Sequence, residues 1–309
     1  MTMPKPHTGR PRVGLMLPIS EGQMEGGVAR WTDMLAMAQT AEAVGFDSLW
    51  LADHFIYRFP GEEESGPWEA FTILAALAAA TKRVQIAPLV AATSFREPAL
   101  LAKIADTMDE VSGGRFILGL GAGWNQPEYT AFGYPYDHLA SRFEEALTII
   151  TGMLHGEHVT FHGRYYQVED AFLRPRGPSE RGPRILIGAK QPRMLRLVAQ
   201  HADAWNTAWP IEPQMVSAAW KNMLAACEAV GRDPATLELT VGTMAHPFGP
   251  GESAEPSDGV MTGPPEEVAQ TLMAFGQLGA SHLVVNARPR TVAGVERFGE
   301  VIRLMDQMA

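Results

Sequence analysis

Residues 119–129, GLGAGWNQPEY, form the loop from which the fold is predicted. They follow Arg115-Phe116-Ile117-Leu118, an apolar run typical of a buried strand. Three glycines at alternating positions leave the backbone without Cβ atoms, so a flat or anionic group can approach it closely. An indole, two amides and a carboxylate come next. Bare backbone with aromatic and polar side chains at the carboxyl end of a strand predicts a cofactor-binding βα loop, and therefore an enzyme.

The rest of the chain repeats this unit of a short aliphatic run and a longer amphipathic run. Strands are predicted at residues 13–17, 48–52, 84–90, 116–120, 185–187, 203–206, 237–243 and 282–285. Helices are predicted at about residues 29–44, 68–80, 98–111, 140–154, 193–201, 213–230, 266–278 and 292–308. Eight parallel strand–helix units close into a barrel, because right-handed crossovers place every helix outside. The predicted fold is therefore an α/β (β/α)8 TIM barrel, with a doubly wound sheet of fewer strands as the alternative.

The glycine loop itself disfavours a dinucleotide-binding fold. Its spacing is GxGxG rather than GxGxxG, and it follows the fourth predicted strand rather than the first. Pro127 is also expected to interrupt the turn where a binding helix would run. A barrel loop that contacts a ring is the better interpretation.

Three segments depart from a plain barrel within what is predicted to be a single domain, residues 1–309. Residues 1–12 are polar and proline-rich and are expected to be a flexible N-terminus. Residues 158–184 are predicted to be an insertion that contains a β-hairpin. Residues 248–263 are rich in Gly, Pro, Ser and Glu without an apolar period, which predicts a mobile loop, either a lid or simple disorder.

Composition excludes several kinds of partner. The net charge of −10 argues against nucleic acid and against an anionic membrane. A single cysteine, Cys227, cannot form an intrachain disulfide and fits a reducing cytoplasm. The longest apolar stretch, residues 71–80, is too short to span a bilayer. A soluble cytoplasmic protein is predicted. No metal site is expected, because the three histidines at 155, 158 and 162 straddle a helix end and a hairpin.

Six motifs in order resemble the luciferase-like monooxygenase superfamily of flavin- and deazaflavin-dependent barrels. They lie at residues 41–50, 53–55, 94–103, 112–124, 185–188 and 202–206. Asp53-His54-Phe55 and Gly123-Trp124 look most like the branch that uses the deazaflavin coenzyme F420. The glucose-6-phosphate dehydrogenases of that branch have a catalytic glutamate where this chain has Trp124, which counts against a sugar-phosphate activity.

The resemblance also implies the site residues. His54 is expected to handle the proton beside the reactive carbon of the coenzyme. Asp53 is expected to act in catalysis with His54 and to bind the coenzyme through a hydrogen bond. A non-prolyl cis peptide is expected at Leu89–Val90, against the back of the ring. The remaining predicted cofactor contacts are Leu89, Val90, Ala91, Gly121, Ala122 and Gly123 for the ring and Gly188, Ala189 and Lys190 for the phosphate. The last segment precedes Pro192 at a helix start, where free amides attract anions.

Trp50, Trp68, Trp124 and Trp209 are candidates for an apolar pocket that binds a small-molecule substrate. The predicted function is hydride transfer between F420 and that substrate, by a chain expected to be a homodimer. One alternative is an FMN-dependent monooxygenase that takes reduced FMN from a separate reductase and activates oxygen. The other is a non-catalytic flavin-binding protein.

Overall fold

Short parallel strands alternate with helices through the computed structural model, which describes residues 9–24, 26–249, 252 and 259–309. The chain divides into two compact units, residues 51–187 and residues 1–50 with 188–309. None of the helices in the described ranges is long and apolar enough to cross a membrane. Of the segments for which flexibility was predicted, residues 1–8 and half of residues 248–263 lie outside the described residues.

The discontinuous unit contains five strands in the order β2-β1-β12-β10-β9, all paired in parallel. These strands are β1 (Arg12–Met16), β2 (Ser48–Leu51), β9 (Ala204–Ala208), β10 (Glu238–Pro247) and β12 (Ala280–Ala287), with the short β11 (Met261–Gly263) alongside β10. Its helices are α1 (Trp31–Val44), α6 (Pro192–His201), α7 (Pro213–Val230), α8 (Pro265–Gln277) and α9 (Val292–Met308). Near-continuous apolar strands such as Leu283-Val284-Val285 are fully buried, as a sheet covered on both faces requires.

The continuous unit carries the residues around the glycine loop. Its strands are β3 (Gln85–Pro88), β4 (Ala91–Ala92), β5 (Ile117–Gly121), β6 (Val159–His162), β7 (Gln167–Ala171) and β8 (Arg184–Gly188). Its helices are α2 (Ala70–Ala80), α3 (Pro98–Ser112), α4 (Gln126–Phe132) and α5 (Leu139–Leu154). Strand β5 pairs in parallel with β4 on one side and β8 on the other, whereas β6 and β7 form an antiparallel ribbon.

Two sequence-based expectations were wrong. Pro127 does not interrupt a helix, because α4 begins at Gln126 and takes Pro127 into its first turn. Proline is tolerated there, since a first-turn amide has no intrahelical partner to lose. The predicted loop 248–263 also ends earlier than expected: Met261–Gly263 pairs in parallel with Ala245–Pro247 of β10.

Candidate functional site

The three glycines of the 119–129 loop are required by contacts within the protein. A Cβ on Gly119 would overlap the carbonyl oxygen of Pro88, and a Cβ on Gly121 would lie 2.6 Å from a methyl group of Val90. At Gly123 a Cβ would overlap the hydroxyl of Tyr129. The space beside this bare backbone, which suggested an approaching cofactor, is therefore filled by residues at the end of β3 and in α4. Cofactor contacts at Gly121, Ala122 and Gly123 stay a prediction.

Gly123→Ala should destabilise the protein by about 2–4 kcal/mol, because the site combines a left-handed backbone with overpacking. Gly123 has φ +83°, and the fully buried Tyr129 cannot yield because its hydroxyl donates to the carbonyl of Ala122 at 3.1 Å. Gly133 is the matched control, since it has φ +78° but open space around its missing Cβ. Gly133→Ala should cost only about 1 kcal/mol. Chemical denaturation measures both, and equal losses would contradict the overlap at Gly123.

Two non-prolyl peptide bonds of the structure are cis. One is Leu89–Val90, as the resemblance implied. The other is Ala208–Trp209, which the sequence did not predict. The indole of Trp209 packs beside Gly242, where an added Cβ would meet its ring at 3.1 Å.

Asp53 forms a buried ion pair with Arg96. Its carboxylate accepts from Arg96 Nη1 at 2.8 Å and Nη2 at 3.0 Å, and also from the backbone amide of Ala92 at 3.1 Å. Burial raises the pKa of Asp53, and the positive charge of Arg96 opposes that rise without cancelling it. The bond from Ala92 ties the segment after β2 to β4, and the pair with Arg96 ties it to the turn that follows β4. Arg96 was not predicted, although a buried carboxylate at residue 53 would have required a cation.

Glu69 extends this network to the surface and caps α2. It accepts from Arg96 Nη2 at 2.7 Å and from the backbone amide of Thr72 at 2.6 Å. Partial burial disfavours its charge, but the bonds from Thr72 and Arg96 outweigh burial and lower the pKa of Glu69 below its ordinary value of 4.5. A carboxylate with a lowered pKa stabilises the fold above its unfolded pKa and loses that effect as the pH falls through its folded pKa.

Glu69→Gln is therefore expected to lower the free energy of unfolding by about 0.5–1.5 kcal/mol at pH 7, as is usual for a lost N-cap and exposed ion pair. The difference in free energy of unfolding between the two proteins should shrink as the pH falls below 4.5, because the carboxylate of the parent protein then takes up a proton and loses its charge. Urea denaturation of both proteins between pH 7 and pH 3 measures this. A difference that stays constant with pH would show that the charge of Glu69 is irrelevant.

His54 pairs with Glu128, not with its neighbour Asp53. Nδ1 of His54 lies 2.9 Å from Oε1 of Glu128, and Oε2 of the same carboxylate accepts from the backbone amide of Phe55 at 2.9 Å. Glu128 is 1% exposed. An ionised carboxylate only accepts, so with Glu128 ionised the contact requires the proton on Nδ1, and a neutral imidazole then has Nε2 as its acceptor. Sequence reasoning noted a carboxylate at residue 128 but gave it no role, since the two residues lie 74 positions apart.

Aromatic rings surround His54. The indole of Trp124 meets the imidazole edge-on with centroids 5.5 Å apart, and Tyr57 lies 5.0 Å away. Phe59 stacks on Trp124 with an interplanar angle of 10° and centroids 6.4 Å apart. Trp124 is 57% exposed. The imidazole therefore lies beside an open aromatic surface, where a ligand can reach it.

The other predicted tryptophans differ in their exposure. Trp50 is fully buried on β2, where its indole N–H donates to Ser48 Oγ at 2.7 Å, and that hydroxyl bonds to Nε2 of His282 at 2.7 Å. It offers no surface to a ligand, so the proposed site omits it. Trp68 and Trp209 are both exposed. Trp68 precedes α2 in the continuous unit, and Trp209 follows β9 in the discontinuous unit.

The predicted phosphate-binding segment ends β8 and leads into α6. Trp205 holds it in place by donating its indole N–H to the carbonyl of Ala189 at 2.9 Å. Lys190 is exposed, and Pro192 begins the helix. Exposed ammonium and first-turn amides are donors that suit an anionic group. Binding at Gly188, Ala189 and Lys190 stays a prediction.

Comparison with known proteins gives the family. Residues 11–255 match the sequence model of the luciferase-like monooxygenases. The chain belongs to the luciferase-like monooxygenase family. It is 35% identical over 193 residues to an F420-dependent glucose-6-phosphate dehydrogenase of Microbacterium testaceum, covering 59% of this chain and 54% of that protein. It is also 35% identical over 183 residues to the pyrimidine monooxygenase RutA of Cronobacter sakazakii, covering 55% and 52%.

The chain thus spans about half the length of these relatives. Among solved structures, it resembles an F420-dependent secondary alcohol dehydrogenase in complex with an F420–acetone adduct, with a TM-score of 0.80. That likeness covers 96% of this chain and 99% of the other at 20% identity, so it shows the fold alone. The predicted fold is confirmed as an α/β TIM barrel.

Proposed function

We propose that this protein is an oxidoreductase that binds coenzyme F420 and transfers a hydride between the coenzyme and a small organic substrate. The observation that carries the proposal is the His54–Glu128 pair, which sets an oriented imidazole beside an open aromatic surface. The F420-dependent relative at 35% identity supports the choice of coenzyme. When bound, F420 supplies a deazaflavin carbon that accepts or donates hydride and reacts poorly with oxygen.

The residues of the continuous unit fit the needs of such a reaction. Oxidation of an alcohol releases a proton as the hydride leaves, and Nε2 of His54 would take that proton. Glu128 keeps the imidazole in the tautomer that leaves Nε2 free and stabilises the imidazolium that forms. Asp53 acts indirectly, because its carboxylate holds the guanidinium of Arg96 and, in β4, the backbone amide of Ala92.

A second candidate is an FMN-dependent monooxygenase that receives reduced FMN from a separate reductase. The match to RutA at the same 35% identity favours it. The two cofactors differ at one ring atom, and the His54–Glu128 pair serves proton transfer with either. Cofactor preference therefore has to be measured.

Titration of the purified apoprotein with F420 and with FMN, each oxidised and reduced, tests the proposal by fluorescence. We expect tight binding of F420 and weak binding of FMN, followed by absorbance changes at the deazaflavin when substrate is added without oxygen. Preference for reduced FMN, with oxygen uptake, would instead support the monooxygenase. Binding without turnover across a wide substrate panel would indicate a non-catalytic flavin-binding protein.

A further inference from the structure

An aromatic platform lies next to His54 in the continuous unit. It consists of Tyr57, Phe59 and Trp124, and the last two are 38% and 57% exposed. Large apolar side chains exposed beside a reactive group usually mark a binding surface. The rings of Phe59 and Trp124 are nearly parallel, with an interplanar angle of 10°, and both add exposed apolar surface beside the imidazole.

The platform is held rigidly on both sides. Tyr136 donates its hydroxyl to the carbonyl of Trp124 at 2.8 Å. The buried side chain of Asn125 donates to the carbonyl of Ile56 at 2.8 Å and so connects the 119–129 loop to the segment that carries His54. Tyr57 and Ser65 exchange two backbone hydrogen bonds of 2.7 and 3.2 Å, which fold the chain between them into a closed loop that carries Phe59. Side chains ordered in advance lose little entropy on binding.

The two segments that carry His54 and the platform are acidic. Residues 51–68 and 119–136 together contain five carboxylates and one arginine, and no lysine. The exposed Glu62, Glu63 and Glu64 lie in the loop that carries Phe59, and the arginine, Arg58, pairs with Glu64 at 2.9 Å. Arg96 is engaged by Asp53 and Glu69. A phosphorylated substrate carries up to about two negative charges and is ordinarily bound by unpaired arginine or lysine.

We propose that the substrate is an uncharged or cationic molecule with an aromatic or conjugated ring, which stacks against Trp124 with its reacting carbon near His54. This inference rests on the proposed function and specifies its substrate class. It separates the protein from the sugar-phosphate specificity in the name of the Microbacterium relative. Stacking on a rigid indole supplies affinity without charge, and the acidic loop disfavours phosphate esters and favours cations.

The test compares benzyl alcohol, benzylamine and benzyl phosphate by saturation-transfer NMR and competition on the F420-loaded protein. The first two probes are expected to bind at least about tenfold more tightly than the phosphate ester, a difference of about 1.4 kcal/mol. Equal or tighter binding of benzyl phosphate would overturn the proposal. Failure of F420 to load would contradict the proposed function instead, so the two failures are distinguishable.

Trp124→Leu tests the platform directly. It should weaken benzyl alcohol binding about tenfold while F420 still binds, because the stacking face is lost. Phe172→Leu is the matched control, since Phe172 is also exposed in the continuous unit but stacks on His158 rather than on a ring of the platform. It should leave the affinity unchanged. Unaltered binding in Trp124→Leu would overturn the proposal. Glu62→Gln with Glu63→Gln should reduce the preference against benzyl phosphate about threefold, by removing two exposed charges.

Discussion

His54→Asn is expected to lower turnover by about 10²–10⁴-fold, the usual contribution of a positioned general base. The asparagine amide can replace Nδ1 as the donor to Glu128, so the buried carboxylate keeps its partner at that oxygen. What the variant lacks is Nε2, the atom proposed to take the proton. Coenzyme affinity should therefore stay near the parent value. Steady-state kinetics and F420 titration measure the two quantities separately.

Two further variants distinguish proton transfer from support of the fold. His54→Ala should lose the same activity and also destabilise the protein by about 1–3 kcal/mol, because one oxygen of Glu128 is left unpaired in the interior. Glu128→Gln should retain the imidazole but not its tautomer, since one amide cannot accept from both His54 Nδ1 and the amide of Phe55. ¹⁵N NMR of the imidazole reads the tautomer directly. Turnover within a few-fold of the parent in His54→Asn would remove His54 from the proton transfer.

The fold was predictable from local pattern because its strands are buried on both faces. The runs that form β1, β5 and β12 are almost wholly apolar, and their predicted bounds differ by only a few residues from those of the structure. Helix α4 was missed because Pro127 was interpreted as a break, although a first-turn proline is compatible with a helix. Strand β11 was missed because three residues carry too little pattern, and its pairing depends on β10.

The sequence pointed to candidate site residues but not to the contacts that they make in the structure. His54 and Asp53 stand in a recognisable motif, but the two side chains belong to different networks, one with Glu128 and the other with Arg96. Their partners, Glu128 and Arg96, are distant in sequence, and only the folded chain brings them near. The glycines at 119, 121 and 123 show the same limit. A glycine indicates that some group approaches the backbone closely, but only the folded structure shows which group it is.

Arg96→Met is expected to be the most destabilising substitution of the site, with a loss of about 3–5 kcal/mol, the usual consequence of breaking one side of a buried ion pair. The side chain of Arg96 is 10% exposed and that of Asp53 is fully buried. The guanidinium also lies 4.4 Å from the ring centroid of Phe71. Methionine fills a similar volume but leaves the carboxylate of Asp53 with the backbone amide of Ala92 and without the guanidinium. Chemical denaturation at pH 7 measures the loss.

The pH dependence of this loss and a second substitution test whether the unpaired charge of Asp53 causes the instability of Arg96→Met. Burial already raises the pKa of Asp53, and Arg96→Met removes the positive charge that opposes that rise. When folding raises the pKa of a carboxyl group, the free energy of unfolding falls as the pH increases from the unfolded to the folded pKa. The loss of free energy of unfolding in Arg96→Met should therefore become smaller towards pH 4. Adding Asp53→Asn should recover about 1–3 kcal/mol at pH 7 by removing the unpaired charge. Glu69→Gln removes the exposed contact of Arg96 and should cost far less. If Arg96→Met cost no more than Glu69→Gln, the buried pair of Arg96 with Asp53 would not be a major source of stability at this site.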